Sequence, residues 1–171
     1  MVNRNLKIRL RGLGSVLALI LLAAFSDSAK LQNVNFSGIW KVDSLKTNYG
    51  GFGTGSTAVT IKIVQTKDTI SIERTLHPGR GNTRYVTDKL PLDGKTMMKT
   101  IGTANSSVSM KWSGQALVET ARFHDDKTNS TYQATETWSI SPDSKTLTID
   151  RVIANDGEGG HGVSKAIYHR E

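Results

Sequence analysis

Apolar and polar residues alternate along most of the chain with the period of two that is typical of β-strands. Val59, Ile61 and Ile63 share one face of the first such segment, and Ile70 and Ile72 share one face of the next. After the N-terminal apolar segment, no part of the chain keeps the 3.6-residue period of an amphipathic helix. The pattern therefore predicts an all-β domain with little or no helix.

Short polar turn sequences divide this alternation into strands. The clearest turn is Ser141-Pro142-Asp143-Ser144, which has Pro and Asp where a type I turn favours them. Asp93-Gly94 is a typical two-residue hairpin sequence, so it predicts that Arg84 to Pro91 pairs with Lys95 to Ile101. Further strands are predicted at Phe36 to Ser44, Leu117 to His124, Thr131 to Ile140, Thr146 to Ala154 and Gly162 to Arg170.

Two hairpin segments are near copies of each other. Thr69 to Arg74 is TISIER and Thr146 to Arg151 is TLTIDR. This repetition favours an antiparallel up-and-down meander in which each strand pairs with its neighbour in sequence. About eight to ten such strands close into a barrel, which also removes exposed sheet edges. An open sandwich is the alternative architecture.

The first residues have the composition of an export signal. Leu13 to Phe25 is apolar and is too short for a comfortable membrane span. Small residues at Ala24 and Ser26 predict cleavage after Ser26, and cleavage after Ala29 is the alternative. An uncleaved N-terminal anchor is a further alternative. The preceding basic residues are Arg4, Lys7, Arg9 and Arg11.

The signal dominates the charge of the chain. Of 22 basic residues, four lie in residues 1–26, which hold no acidic residue, so residues 27–171 carry 18 basic and 15 acidic residues, a net charge of +3. This mild charge argues against nucleic-acid binding. We expect residues 1–26 to be a removed signal peptide, 27–35 a linker and 36–171 a single barrel domain. The mature protein is then secreted or periplasmic, without stable membrane insertion.

The chain contains no cysteine. Disulfides and a lipid-modified cysteine are therefore excluded. About 145 mature residues can bury an adequate core without such cross-links.

A glycine-rich segment, Asn48 to Ser56, follows the first predicted strand. It contains Gly50, Gly51, Gly53 and Gly55. A dinucleotide-binding loop must open a helix, whereas this segment precedes a β-branched strand. We therefore interpret it as a lid or crossing loop and expect no nucleotide cofactor.

Two segments carry a resemblance to a known family. Phe36 to Asp43 is FSGIWKVD, with a Gly-x-Trp motif at Gly38 and Trp40, and Trp138 to Ile149 is WSISPDSKTLTI. With the run of hairpins, they resemble the lipocalin-like (calycin) barrels, and are similar to a group of small exported bacterial proteins. The resemblance implies that Trp40, next to Gly38, packs across the closed end of the barrel. Its expected partner is an arginine from a late strand, Arg151 or Arg170.

The other two tryptophans, Trp112 and Trp138, are candidates for lining a ligand cavity. The alternative is core packing, because each ring buries a large apolar area. A barrel of this size is either filled by side chains or holds one small ligand.

Two arginines lie in phase with inward apolar residues. Arg74 follows Ile70 and Ile72, and Arg151 follows Leu147 and Ile149. An inward arginine needs a partner, and the candidate partners are Glu119 and Glu136. The functional interpretation is an anchor for the carboxylate of a fatty-acid-like ligand, where a planar guanidinium binds two oxygens. The alternative is an arginine near a strand end that points to water.

No catalytic or metal motif is evident. The histidines, His77, His124, His161 and His169, lack metal-ligand spacing, and no Gly-x-Ser-x-Gly elbow exists. We expect no enzymatic activity, no metal and no cofactor, although a hydrolase of unrecognised type is a third, weaker hypothesis.

Two functional hypotheses follow. The first is an exported lipocalin-like barrel that binds a small apolar or amphipathic ligand in its interior, through Trp112, Trp138, Arg74 and Arg151. The second is a filled barrel or sandwich that acts through its surface on an envelope component. Small residues opposite the tryptophans would favour the first, and a solidly packed interior would favour the second.

Overall fold

The computed structural model describes residues 34–77, 81–101, 104–125, 130–155 and 162–171. The predicted signal peptide, its cleavage sites and most of the 27–35 linker lie outside these ranges. The described residues form ten β-strands. They are β1 Gly38–Val42, β2 Ala58–Gln65, β3 Thr69–Leu76, β4 Arg84–Pro91, β5 Met97–Ile101, β6 Ala104–Ser113, β7 Ala116–Asp125, β8 Ser130–Ile140, β9 Thr146–Asn155 and β10 Gly162–Arg170.

All ten strands belong to one antiparallel sheet. Its order is β4-β3-β2-β1-β10-β9-β8-β7-β6-β5. The first and last strands pair, with Trp40 opposite Arg170 and Val42 opposite Tyr168, so the meander curls into a nearly closed barrel. The all-β class, the up-and-down order and the strand number predicted from the sequence are confirmed.

The predicted hairpin at Asp93-Gly94 is wrong. β5 pairs with β6, and no ladder joins β5 to β4. The turn instead reaches β6: Asp93 forms a β-bridge with Lys111, and the amide of Gly94 donates to the carbonyl of Met110 at 3.0 Å. The hairpin signal was local, whereas the competing hydrogen bonds come from a strand far away in sequence. An unpaired seam therefore lies between β4 and β5.

The glycine-rich segment forms two short 3-10 turns, Gly50–Phe52 and Thr54–Ser56, between β1 and β2. They are the only helical turns among the described residues. Just before them, Asn48 pairs with Lys165 through two backbone hydrogen bonds of 2.8 Å. Gly50 has a φ of +59°, and a Cβ there would overlap the carbonyl oxygen of Val163. The loop thus lies directly on β10, at a position where only glycine fits.

One end of the barrel is filled by apolar side chains. Phe36, Trp40 and Trp138 are fully buried there. The short turns between β2 and β3, β6 and β7, and β8 and β9 lie at this end, which we call the closed end. Other fully buried residues of this core are Ile61, Ile70, Ile72, Leu90, Met110, Leu117 and Leu147.

Candidate ligand-binding site

The other end of the barrel contains a cavity of about 310 Å³. Strands β3 to β9 contribute its walls. Seven of its lining residues are apolar, namely Leu76, Val86, Val108, Ala121, Phe123, Ala134 and Ile153. Charged residues, with Ser106 and Ser107, complete the lining, and the charged set is Arg74, Arg84, Asp88, Lys99, Glu119, Glu136 and Arg151.

The inward positions change from apolar to charged and back to apolar along several strands. On β3 they are apolar at Ile70 and Ile72, charged at Arg74 and apolar again at Leu76. The same order recurs on other strands, as in Leu117-Glu119-Ala121 on β7 and Ile149-Arg151-Ile153 on β9. The interior therefore has a packed apolar core, a charged middle and an apolar-walled cavity. We call the six residues of the middle, Arg74, Asp88, Lys99, Glu119, Glu136 and Arg151, the charged layer.

Arg74 joins three carboxylates across the interior. Its Nη1 donates to Asp88 Oδ2 at 2.8 Å, and its Nη2 donates to Glu119 Oε2 at 2.6 Å. Glu136 Oε2 lies 3.7 Å from Nη2. The guanidinium also lies over the ring of Trp138, with Cζ 5.3 Å from the centroid. Only 13% of the side chain is exposed, so Arg74 does not point to water.

Arg151 is held by Glu136, its cross-strand neighbour on β8. Both Nε and Nη2 contact Oε1, at 2.7 Å and 2.5 Å. Nη1 donates to the carbonyl of Ser56 at 3.0 Å, which ties the glycine-rich loop to the charged layer. Oε2 of Glu136 accepts from the indole nitrogen of Trp138 at 3.0 Å. The two candidate partners therefore contact the arginines, Glu119 at Arg74 and Glu136 at Arg151 and, at 3.7 Å, at Arg74.

Lys99 and Asp88 complete the layer. They lie on β5 and β4, and the Lys99 ammonium pairs with Asp88 Oδ1 across the unpaired seam. Neither residue was predicted from the sequence. The alternation of Asp88 with Val86 and Leu90 could have placed Asp88 on the inward face of its strand, because that face is otherwise apolar.

Burial and mutual charge shift the ionisation of the layer in different directions. Burial raises the pKa of Glu119 above its usual value, against the opposing charge of Arg74. Burial acts in the same sense on Glu136, but Arg151 and Arg74 outweigh it and hold that pKa below its usual value. Burial, with the positive charge of Arg74, lowers the pKa of Lys99. The two glutamates face each other in register on β7 and β8, yet only Glu119 is easier to protonate.

The structure separates the four residues predicted to bind a ligand. Arg74 and Arg151 line the cavity, whereas Trp112 and Trp138 are not part of its lining. Trp138 lies in the core directly beneath Arg74. Trp112 packs on Phe36 at the closed end, with ring centroids 6.0 Å apart. Both tryptophans thus take the core-packing role that was the alternative.

Trp40 and Arg170 have the arrangement that the Gly-x-Trp motif implies. The Arg170 guanidinium lies 4.3 Å from the centroid of the fully buried Trp40 ring. Its Nη1 donates to the carbonyl of Ser37 at 2.6 Å, and its Nε donates to that of Ser144 at 2.8 Å. The partner of Trp40 is therefore Arg170 and not Arg151.

Three histidines lie in described parts of the chain, and each contacts a different residue. His169 pairs with Asp43 at 2.9 Å, His77 with Thr83 and His124 with Thr131. Across the described ranges, no group of three or more His, Asp or Glu side chains is placed to hold a metal ion. Nor does any described helix have the length and apolar character needed to cross a membrane.

Comparison with known proteins adds information on the fold only. No family model and no curated protein matches the chain. A secretory abundant heat soluble (SAHS) protein of Ramazzottius varieornatus shares 12% identity with it, over 80% of this chain and 95% of that one, with a TM-score of 0.50. Secretory abundant heat soluble protein 4 of the same organism shares 11% identity over 79% and 94%, with a TM-score of 0.44. With the ten-stranded meander, the first of these likenesses indicates a calycin-like β-barrel fold.

Proposed function

We propose that this protein is an exported, non-enzymatic binding protein that holds a small apolar or amphipathic molecule in the cavity of its barrel. The observation that carries the proposal is the layered interior. An apolar wall surrounds the cavity, and a charged layer forms its floor. The apolar part of a ligand would lie against Leu76, Phe123 and Ile153, and its polar group would face Arg74 and Arg151.

The driving force would be desolvation of the apolar part. Burying a methylene group gains about 0.8 kcal/mol, so an eight-carbon chain gains roughly 6 kcal/mol before the costs of binding. Affinities in the micromolar to millimolar range are consistent with such a gain. The volume of about 310 Å³ is at the lower end of ligand pockets.

Small side chains in the wall support this proposal. Ala121, Ala134 and Ser106 leave space that larger residues would fill. The closed end, by contrast, is filled by fully buried side chains such as Phe36, Trp40 and Trp138. Taken alone, this filled end would favour the alternative function, in which a filled barrel acts through its surface on an envelope component.

Loop Gly50 to Ser56 would act as a lid. Its last residue accepts a hydrogen bond from Arg151 through the Ser56 carbonyl. A ligand that contacts Arg151 would therefore alter the loop as well.

The test is native mass spectrometry of the protein purified from its own host, followed by organic extraction. A stoichiometric small molecule that is lost on unfolding supports the proposal and gives the ligand class. A bare mass, with no heat of binding for a panel of apolar and amphipathic compounds, contradicts it and favours the surface alternative. The same spectrum tests export, because cleavage after Ser26 leaves Asp27 as the first residue.

A pair of variants locates the site. Ala121→Trp places a large ring in the cavity wall and should abolish binding. Arg122→Trp puts the same ring on the neighbouring, exposed position of β7 and should leave binding unchanged. Equal binding by both variants would mean that the ligand does not occupy this cavity.

A further inference from the structure

The charged layer has no net charge when all its groups are ionised. Three cations, Arg74, Lys99 and Arg151, face three carboxylates, Asp88, Glu119 and Glu136. Each cation contacts at least one carboxylate of the layer. The layer is thus already neutralised from within, before any ligand enters.

This balance affects which polar groups the floor of the cavity can accept. An anionic head group would bring a fourth negative charge close to Asp88, Glu119 and Glu136, and binding it in place of one of them would separate Arg74 or Arg151 from its carboxylate. A buried carboxylate would then lose its partner, and breaking a buried ion pair in this way is strongly unfavourable. An uncharged head group does not require that separation.

Hydrogen-bonding capacity remains for an uncharged group. A guanidinium has five N–H donors, and a carboxylate has about four acceptor sites. A hydroxyl or amide can donate to a carboxylate such as Glu119 and accept from a guanidinium such as Arg74, with the ion pair intact. The cavity volume equals that of roughly ten water molecules, so the ligand has on the order of ten heavy atoms.

We propose, building on the binding function above, that the cavity selects amphipathic molecules with an uncharged hydroxyl, amide or carbonyl head and discriminates against anionic ones. The carboxylate anchor that the sequence suggested for Arg74 and Arg151 is thereby replaced by a neutral hydrogen-bonding floor. Arg84, the other cation of the lining, is exposed at the mouth of the cavity. Its charge is screened by water and salt.

The experiment compares three probes with the same eight-carbon chain by isothermal titration calorimetry at neutral pH. They are octan-1-ol, octanamide and octane-1-sulfonate, and the sulfonate is a permanent anion. We expect the alcohol and the amide to bind at least tenfold more tightly than the sulfonate. Sulfonate binding as tight as that of the alcohol overturns the inference and leaves the binding function intact. Failure of all three probes contradicts the binding function itself, and the inference with it.

A charge variant tests the cause of the selectivity. Glu119→Gln gives the layer a net charge of +1, so the affinity of the sulfonate relative to the alcohol should rise at least tenfold. Asp88→Asn on β4 also gives the layer a net charge of +1, and it replaces Glu119→Gln in the experiment if that variant does not fold. Glu73→Gln removes a carboxylate from the outer face of β3, where Glu73 pairs with exposed Lys62, and should leave the ratio unchanged. An unchanged ratio in the layer variants would show that charge balance does not set the selectivity.

Discussion

Arg74 on β3 and Glu119 on β7 connect opposite walls of the barrel through a 2.6 Å contact between Nη2 and Oε2. The two strands do not pair in the sheet. Their contact crosses the interior just above the apolar core, where water has little access. The contact therefore stabilises the barrel and also forms part of the floor of the cavity.

Removing Arg74 should destabilise the fold strongly. Arg74→Met would leave Asp88 and Glu119 without their guanidinium, and breaking a buried pair typically costs about 3 to 5 kcal/mol. Urea unfolding followed by tryptophan fluorescence would give the difference in free energy. Lys62→Met breaks an exposed pair with Glu73 and should cost less than about 1 kcal/mol. Similar losses in both variants would argue against a buried network.

Glu136 should make the protein sensitive to acid. Its pKa in the folded state is lowered below the usual 4.5, so its contribution to stability is present above about pH 4.5 and is lost as the pH falls through the folded pKa. The free energy of unfolding, measured against pH, should therefore fall less steeply in acid for Glu136→Gln than for the native protein. An identical slope would contradict the lowered pKa.

Glu119 should have the opposite effect. Its folded pKa is raised, so its ionisation costs stability as the pH rises from about 4.5 through that value. Glu119→Gln should remove this loss, which the same pH series of urea unfolding measures. If the substitution instead removed a loss of stability in acid, the folded pKa of Glu119 would be lowered and not raised.

Trp40 should contribute strongly to the closed end. Truncation of a fully buried aromatic residue costs about 3 to 5 kcal/mol, so Trp40→Ala should lower the melting temperature measured by circular dichroism by many degrees. Tyr85→Ala, at a residue that is 78% exposed, is the matched control and should have little effect. Unchanged melting of Trp40→Ala would remove the closing role assigned to this residue.

Gly50 should not tolerate a side chain. Its positive φ and its contact with the Val163 carbonyl predict that Gly50→Ala costs about 1 to 3 kcal/mol. Gly51→Ala, where a Cβ would meet no atom within 4 Å, should change stability by less than about 0.5 kcal/mol. Equal stability of the two variants, measured by urea unfolding, would show that the loop does not lie on β10 as described.

The alternation of apolar and polar residues determined the strands and their inward faces. Because side chains alternate across a strand, the phase of Ile70 and Ile72 alone placed Arg74 inside, and that of Leu147 and Ile149 did the same for Arg151. Burial of an inward arginine in turn required carboxylate partners, and Glu119 and Glu136 were identified for this reason.

Only the tertiary structure decided which strands meet and what lies between them. The Asp93-Gly94 turn looks like a hairpin in sequence, yet hydrogen bonds from β6 draw it away and leave the seam that Lys99 and Asp88 bridge. Such long-range competition has no local signal. The separation of a filled end from a hollow end also depends on side chains from many strands together. Trp138 therefore lies in the core, whereas Arg74, which packs over its ring, lines the cavity.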